Sequence, residues 1–172
     1  CIVSGLAEGC DTIAHQSCLE AGKPTAAILA HGLDTIFPHI NNSLASKILE
    51  GNGCLISEYV FGTPPTKYNF VARDRIQAGV SIAGLLLQST ASGGSMHAIR
   101  KLYKLNRKIV TIIPKTKPGI SGGWGGNLIA SKELLADTIP LGATDESHLR
   151  QIEMQLCMIK QERCKLKQLG LW

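Results

Sequence analysis

The sequence predicts an α/β fold, built on a doubly wound and mostly parallel sheet. Short apolar runs of strand length alternate along the chain with segments of helical periodicity, and glycine-containing turns separate many of them. Because parallel strands are joined by crossover helices, this alternation indicates a sheet whose two faces are both covered. The 172 residues are 44% hydrophobic, which is enough to bury one sizeable core.

Five strands are predicted. The first is Cys1-Ile2-Val3, which runs straight into a glycine-rich turn, so we expect the chain to begin inside a domain. The other strands are predicted at residues 25–30, 54–57, 85–88 and 109–113.

Four helices are predicted between these strands, at about residues 11–21, 43–50, 73–79 and 94–105. In the first helix, Asp11 is expected to cap the start and Gly22 to end the helix. In the second, Asn42 or Ser43 precedes the helix and Gly51 follows it.

The predicted organisation changes twice after residue 114. Residues 115–126 contain five glycines and are predicted to form a long loop before a short segment at residues 127–136. From Asp145 onward, apolar residues recur at helical spacing among lysines and glutamates, which predicts an amphipathic helix. Its apolar positions are Leu149, Ile152, Leu156 and Ile159. We therefore predict one domain at residues 1–144 and a C-terminal helix at residues 145–172.

Composition argues against several classes of protein. The apolar runs are too short to span a bilayer and the N-terminus lacks the features of a signal peptide, so we expect a soluble, cytoplasmic protein without a membrane partner. The six cysteines form no C-x-x-C pair and are expected to be reduced, buried thiols; no metal site and no cofactor is predicted. A net charge of +5 is compatible with a polyanionic partner but does not decide it.

Two glycine-rich turns are candidates for anion binding. One is the segment from Ser4 to Asp11, and the other is Ser92-Gly93-Gly94-Ser95; each lies between a predicted strand and a predicted helix. Backbone N–H groups are unpaired at such junctions, and the serine hydroxyls can donate to a phosphate oxygen. The alternative is that both are simply tight turns. Neither is a nucleoside triphosphate loop, since G-x-x-x-x-G-K-[ST] is absent.

Residues 68–79 combine the cations and aromatic rings that single-stranded nucleic acid requires. Tyr68 and Phe70 can contact bases, while Arg73 and Arg75 can contact phosphates. The alternative interpretation places Phe70 in the core and the arginines on a solvated helix face.

Arg73 and Arg75 lie two positions apart, so they cannot point the same way on one helix. We expect one of them to meet DNA and the other to pair with an acidic residue such as Asp74 or Glu58. Glu58 is expected to orient a loop or pair with an arginine, because a carboxylate is unfavourable beside a phosphate.

Acid–base catalysis is a weaker prediction. His15 follows Asp11 by four residues, and we favour a capping aspartate with a packed histidine over a catalytic pair. The segment His31-Gly32-Leu33-Asp34 follows a strand, and its histidine and aspartate could likewise be structural residues or a catalytic pair. The G-x-S-x-G nucleophile motif is absent.

Six ordered segments resemble the DNA-processing protein A family (DprA, also called Smf), over about residues 1–130. This resemblance implies an extended Rossmann-like fold that binds single-stranded DNA without catalysis and forms a homodimer. It also implies protection of incoming strands in natural transformation and assistance in loading a RecA-type recombinase. The segments are residues 3–11 with His15, residues 28–34 with Pro38, and residues 55–59, 70–79, 92–95 and 127–129.

The resemblance implies which residues meet DNA. Arg73 and Arg75 match an Arg-Asn-Arg segment of the family, while Lys67 and Phe70 lie where the family has a basic residue and an aromatic near the DNA pocket. The family's phosphate-facing turns correspond to Ser4, Gly5, Ser92, Gly93, Gly94 and Ser95.

Three departures from the family pattern affect these expectations. Asp74 replaces the usual asparagine and adds a negative charge between the arginines, while Cys10 replaces an isoleucine. The opening strand with its Gly-Ser-Arg turn has no counterpart, which indicates either a fragment or a divergent member with weakened binding.

Two alternatives remain. Phosphoribohydrolases that cleave nucleoside monophosphates resemble this fold, but their Pro-Gly-Gly-x-Gly-Thr segment is absent. A nucleotide-sensing domain that signals through the C-terminal helix is the other alternative.

Overall fold

The computed structural model describes residues 1–114, residues 123–140 and the helical positions 150, 153, 154, 157, 158 and 161. The apolar stripe predicted for the C-terminal helix lies outside these residues, as does most of the loop predicted at 115–126. The boundary between residues 144 and 145 therefore stays a prediction.

The chain divides into a first compact unit, Cys1–Ser81, and a second that begins at Ile82. The first unit contains β1 (Ile2–Ser4), α1 (Cys10–Glu20), β2 (Thr25–Ile28), a 3-10 turn (His39–Asn41), α2 (Asn42–Glu50), β3 (Cys54–Ile56) and α3 (Lys67–Val80). The second contains β4 (Ala83–Leu86), α4 (Ser95–Lys104), β5 (Lys108–Ile113), α5 (Gly125–Glu133) and β6 (Asp137–Pro140).

Each unit contains a three-stranded parallel sheet, and the α/β fold class is confirmed. The strand orders are β1-β2-β3 and β4-β5-β6, so the described strands pair as two sheets rather than as the single sheet predicted. Val3 lies opposite Ala26 in the first sheet, and Val110 lies opposite Asp137 in the second. Helices join the consecutive strands, as parallel pairing requires.

The first core lies between the sheet and the pair α1 and α2. Helix α2 buries Leu44, Ala45 and Ile48 on one face, which is the spacing of an amphipathic helix. They pack with Leu6, Ala27 and Leu29, and with the partly buried Leu19, Ile36 and Leu55. In the second unit, α4 buries Met96, Ile99 and Leu102 in the same way.

Helix α3 is the largest departure from the predicted elements. It begins at Lys67, six residues before the predicted start, because the Thr66 hydroxyl accepts a hydrogen bond from the backbone N–H of Asn69 at 3.1 Å and caps the helix. The intervening Tyr-Asn-Phe-Val residues are weak helix formers, which is why the pattern did not indicate this first turn.

Three elements of the second unit were also mispredicted. Helix α5 begins at Gly125, inside the predicted loop, and β4 begins two residues before the predicted strand. Strand β6 was missed, because a four-residue run containing Asp137 and Pro140 shows no strand periodicity. The proline is tolerated because β6 is an edge strand of this sheet.

The cysteine prediction is partly wrong. Cys18 is buried, but Cys1, Cys10, Cys54 and Cys157 are exposed; all five are free thiols. Among the residues that the structure describes, no helix combines the length and apolar character needed to cross a membrane, and no acidic, histidine and cysteine side chains cluster as metal ligands.

Candidate nucleic-acid interface

The first glycine-rich turn is closed by Asp11. Its carboxylate accepts hydrogen bonds from the Ser4 hydroxyl at 2.6 Å, from the Gly5 N–H at 2.9 Å and from the Ala7 N–H at 3.1 Å. Helix α1 is preceded by Gly9 and has no side-chain cap, so the predicted capping role of Asp11 is wrong. The carboxylate instead binds the donors of Ser4 and Gly5 that were predicted to face a phosphate.

Arg73 is buried under the same turn. Its Nη1 donates to the carbonyl oxygen of Gly5 at 3.1 Å and to that of Ile28, and its Nε lies 3.4 Å from the Asp74 carboxylate. The guanidinium carbon lies 5.8 Å from the Phe70 ring centroid, within the range of a cation–π contact. Arg73 thereby ties α3 to the carboxyl ends of β1 and β2.

The burial of Arg73 has two consequences. Burial lowers the pKa of the Arg73 guanidinium below its usual value, and the neighbouring Asp74 carboxylate opposes that shift. A Cβ at Gly5 would collide with the Arg73 guanidinium, so a larger residue at this position would require the guanidinium to move. With 7% of its side chain exposed, Arg73 has little surface to offer a phosphate.

Arg75 lies on the exposed side of α3. Its Nη2 pairs with the Glu58 carboxylate, which confirms the prediction that Glu58 pairs with an arginine. The Arg75 side chain remains 56% exposed. The two arginines of the segment therefore occupy opposite environments, one interior and one solvated.

The other predicted residues of α3 lie near its start. Lys67 and Tyr68 are exposed, and Tyr68 is 80% accessible to solvent. Phe70 is half-buried, with its ring centroid 6.1 Å from that of Phe37 at an angle of 47°. Lys67 and Phe70 are neighbours on the helix surface because they lie three residues apart. A cation and aromatic edges are thus presented together.

The second glycine-rich turn is open. Ser92 and Ser95 are exposed, and within the described chain their hydroxyls make no hydrogen bond. The N–H groups of Met96 and His97 donate to the carbonyl oxygens of Gly93 and Gly94. The N–H groups of Gly94 and Ser95, in contrast, have no acceptor among the described residues. Four donors at the start of α4 are therefore available to an anion.

Asn127 holds this second turn, a role that sequence reasoning missed. The side chain is fully buried; its oxygen accepts from the Ser89 N–H at 2.9 Å, and its nitrogen lies 3.0 Å from the carbonyls of Leu87 and Ile112. The N–H of the preceding residue, Gly126, donates to the carbonyl oxygen of Ser89 at 2.8 Å. The signal was the pair Gly125-Gly126, which lets α5 approach the turn closely.

His15 is a packed residue, as the favoured interpretation predicted. Its Nδ1 lies 2.7 Å from the Thr25 hydroxyl, which itself donates to the Ile2 carbonyl at 2.8 Å. Since a threonine hydroxyl has one proton, Nδ1 must carry the proton between the two residues. The ring is completely buried, and burial lowers its pKa from 6.5, with Asp11 opposing the shift.

The protein is expected to lose stability as the pH falls through the range below about 6.5, because the unfolded chain binds a proton at His15 before the folded chain does. The midpoint of urea denaturation, measured from pH 8 downward, tests this expectation. In His15→Leu the slope in that range should become shallower. A wild-type midpoint that stays constant through the range would contradict it.

Comparison with known proteins decides the family. Residues 1–132 match the family model of DNA recombination-mediator protein A. The chain belongs to this family. It is 33% identical to protein Smf of Escherichia coli K12 over 147 residues, and 37% identical to DNA processing protein DprA of Streptococcus pneumoniae R6 over 144 residues. These matches cover 82% and 79% of the chain but only 39% and 50% of the relatives.

Solved structures of DNA processing protein A resemble the fold. The protein from S. pneumoniae superimposes with a TM-score of 0.66 at 31% identity, over 80% of this chain and 47% of that one. The protein from Helicobacter pylori superimposes with a TM-score of 0.71 at 25% identity, over 89% and 65%. The H. pylori structure concerns a single-stranded DNA binding mode.

Proposed function

We propose that this member of the DNA recombination-mediator protein A family binds single-stranded DNA by contacting the phosphates of the strand. The binding has no strong sequence preference. The observation that carries the proposal is the open turn at residues 92–95, with unpaired hydroxyl and backbone donors at the start of α4. The H. pylori relative that shares the fold has a described single-stranded DNA binding mode. In the first unit, Lys67 adds a cation beside the aromatic rings of Tyr68 and Phe70.

The first turn has a different role in this proposal. Asp11 accepts hydrogen bonds from Ser4 and Gly5, and Arg73 is buried. In this proposal Ser4, Gly5 and Arg73 therefore support the fold beneath the interface and do not contact phosphate. Arg75 is the arginine of the segment that can reach DNA, in exchange for its exposed pairing with Glu58. This assigns direct phosphate contact to Lys67 and Arg75 in the first unit and, separately, to the turn at residues 92–95 in the second unit.

We expect affinity for oligo-dT to fall steeply with salt, with a logarithmic slope of about −0.7 for each phosphate contact. Lys67→Gln should weaken binding and reduce that slope by about 0.7, because one counterion fewer is released. Lys47→Gln, the same charge change at an exposed position of α2, should leave the slope unchanged. Fluorescence anisotropy over a salt series gives both values.

Salt-independent binding, or tighter binding to duplex than to oligo-dT, would contradict this function. An equal change of slope in the two lysine variants would contradict the place of Lys67 in the site.

The proposal is one of binding without catalysis. Two of the carboxylates that could act as an acid or base, Asp11 and Glu58, are engaged with the first turn and with Arg75. Nucleoside monophosphates incubated with the protein should release no free base. Release that disappears in Glu58→Gln would favour the phosphoribohydrolase alternative.

Protection of single strands, assistance to a RecA-type recombinase and homodimer formation are the finer parts of the proposal. Family membership supports them, and the chain spans half or less of the two relatives above, E. coli Smf and S. pneumoniae DprA. Mass measurement by light scattering tests the dimer.

A further inference from the structure

The positive charge of the chain is concentrated in one part of the sequence. The segment from Arg75 to Lys132 contains nine of the 18 lysines and arginines and none of the 13 aspartates and glutamates. The remaining residues therefore carry a net negative charge. Five of these cations fall within residues 100–108, in helix α4 and at the start of β5. The net charge of +5 thus understates how basic this part of the second unit is.

Helix α4 collects its cations on one face. The helix buries three apolar residues on one side. The opposite side is formed by three exposed cations and a half-buried histidine. They are Arg100, Lys101, Lys104 and His97. Positions three, four and seven apart lie on the same face of a helix, so these residues line up along it. We name the three cations, Arg100, Lys101 and Lys104, the basic stripe.

The basic stripe has no acidic partner in the described part of the chain. None of its three cations forms an ion pair there, whereas Lys108 on the next strand pairs with Asp137 at 2.6 Å. One structural role is available, because Lys101 and Lys104 lie in the last turn of α4, where cations favour the helix dipole. That role does not extend to Arg100, which lies in the middle of the helix. A polyanion is the partner that matches the whole stripe.

The basic stripe is continuous with the open turn at residues 92–95. The turn leads directly into α4, whose first residue is Ser95. At a rise of about 1.5 Å per residue, Lys104 lies about 14 Å further along the helix axis. A strand with one phosphate at the open turn can therefore run along α4, with its following phosphates beside the basic stripe.

Tyr103 favours a single strand over a duplex on this surface. Its side chain is 41% exposed, and it follows Arg100 by three residues, which makes the two side chains neighbours on the helix. The bases of a single strand can stack on an aromatic ring, whereas those of a duplex are already stacked on one another. The second unit thus presents cations and an aromatic ring together.

We propose that the single strand bound at the open turn continues along α4, where Arg100, Lys101 and Lys104 contact its next phosphates. The inference rests on the proposed function, since it needs a phosphate at the turn. It extends a contact at one end of α4 into a track along the helix.

The test removes the charges of the basic stripe together, in Arg100→Gln/Lys101→Gln/Lys104→Gln. For this stripe variant the logarithmic salt slope of oligo-dT binding should become shallower by about 2, because three contacts of about 0.7 each are lost. This applies to an oligo-dT of about 20 nucleotides; one of about 5 nucleotides covers fewer contacts, so its slope should change less. Fluorescence anisotropy over a salt series measures both slopes.

A control variant makes the same charge change elsewhere. Lys23→Gln/Lys47→Gln/Lys132→Gln removes three exposed lysines that lie outside α4, and should leave the salt slope as it is in the wild type. Both triple variants should melt close to the wild type, because the substituted side chains are exposed. Tyr103→Leu keeps every charge, so it should weaken oligo-dT binding by about fivefold or more at an unchanged salt slope.

A second measurement needs no variant. Acetylation of lysines in the wild-type protein, followed by mass spectrometry, should slow at Lys101 and Lys104 when the longer oligo-dT is bound. Acetylation of Lys132, which is exposed on α5, should keep its rate. Equal rates at Lys101 and Lys104 with and without bound oligo-dT would overturn the proposal.

The outcomes distinguish this proposal from the proposed function. If the wild type does not bind oligo-dT, both fail. If it binds and the stripe variant keeps the wild-type salt slope, the function stands and the track along α4 is overturned. An equal change of slope in the control variant would show that only the overall charge matters, which also overturns the track. A stripe variant that loses affinity for duplex and keeps its affinity for oligo-dT would assign the stripe to duplex DNA instead.

Discussion

Arg73→Met is expected to lower the free energy of unfolding by about 3–5 kcal/mol, the usual cost of removing one partner from a buried ion pair. The substitution leaves the Gly5 and Ile28 carbonyls without their guanidinium donor and leaves Asp74 buried beside an apolar side chain. Arg75→Met should change the same quantity by less than about 1 kcal/mol, since its partner is an exposed carboxylate. Urea denaturation of the two variants measures the difference.

Comparing Arg73→Met with Arg75→Met also separates the effect on stability from the effect on DNA binding. Arg75→Met should reduce affinity for oligo-dT while its melting temperature stays close to that of the wild type. Equal losses of affinity in both variants with unchanged melting temperatures would refute this division of roles. Arg73→Lys should be only a partial rescue, because an ammonium lacks the planar fork that reaches two carbonyls and a carboxylate together.

Asn127→Leu is expected to lower stability by about 3 kcal/mol or more, because several buried polar groups lose their partners and each costs about 1–3 kcal/mol. These groups are the Ser89 N–H and the carbonyls of Leu87 and Ile112. The affected strand end leads into the open turn at residues 92–95. Affinity for oligo-dT should therefore fall as well, even at temperatures where the variant is folded.

A matched control and a local measurement make this second prediction specific. Asn42→Leu makes the same chemical change at an exposed position at the start of α2, and should alter stability by about 0.5 kcal/mol or less. Hydrogen exchange at the Ser89 amide should accelerate in Asn127→Leu and stay slow in the control. A protected Ser89 amide in a variant that melts like the wild type would show that Asn127 does not hold the turn.

Much of the fold follows from features that are local in sequence. The apolar run at β2 predicts a buried strand, and all four of its residues are buried. Gly22 adopts a φ of 65°, the left-handed conformation that ends a helix, two positions after the last residue of α1. The parts that failed, β6 and the first turn of α3, lack periodicity or propensity and depend on a neighbouring strand or a single cap.

The candidate site was harder to predict because its donors have competing partners. Ser4 and Gly5 have the composition of an anion-binding turn, and so do Ser92 and Ser95. Only the folded chain shows that Asp11 returns to satisfy the first pair, while the second pair stays open. The sequence shows which groups can donate a hydrogen bond, but it does not show whether another residue of the folded chain already accepts that hydrogen bond.

Sequence alone determined the alternation of strands and helices, the places where turns interrupt them and the residue types able to meet single-stranded DNA. These properties arise from contacts among residues a few positions apart. The tertiary structure decided which arginine is interior: Arg73 is buried because it donates to carbonyls 68 and 45 positions away, whereas Arg75, on the same helix, faces solvent. Long-range hydrogen bonds of this kind leave no periodic signal in the chain, so only the folded structure shows them.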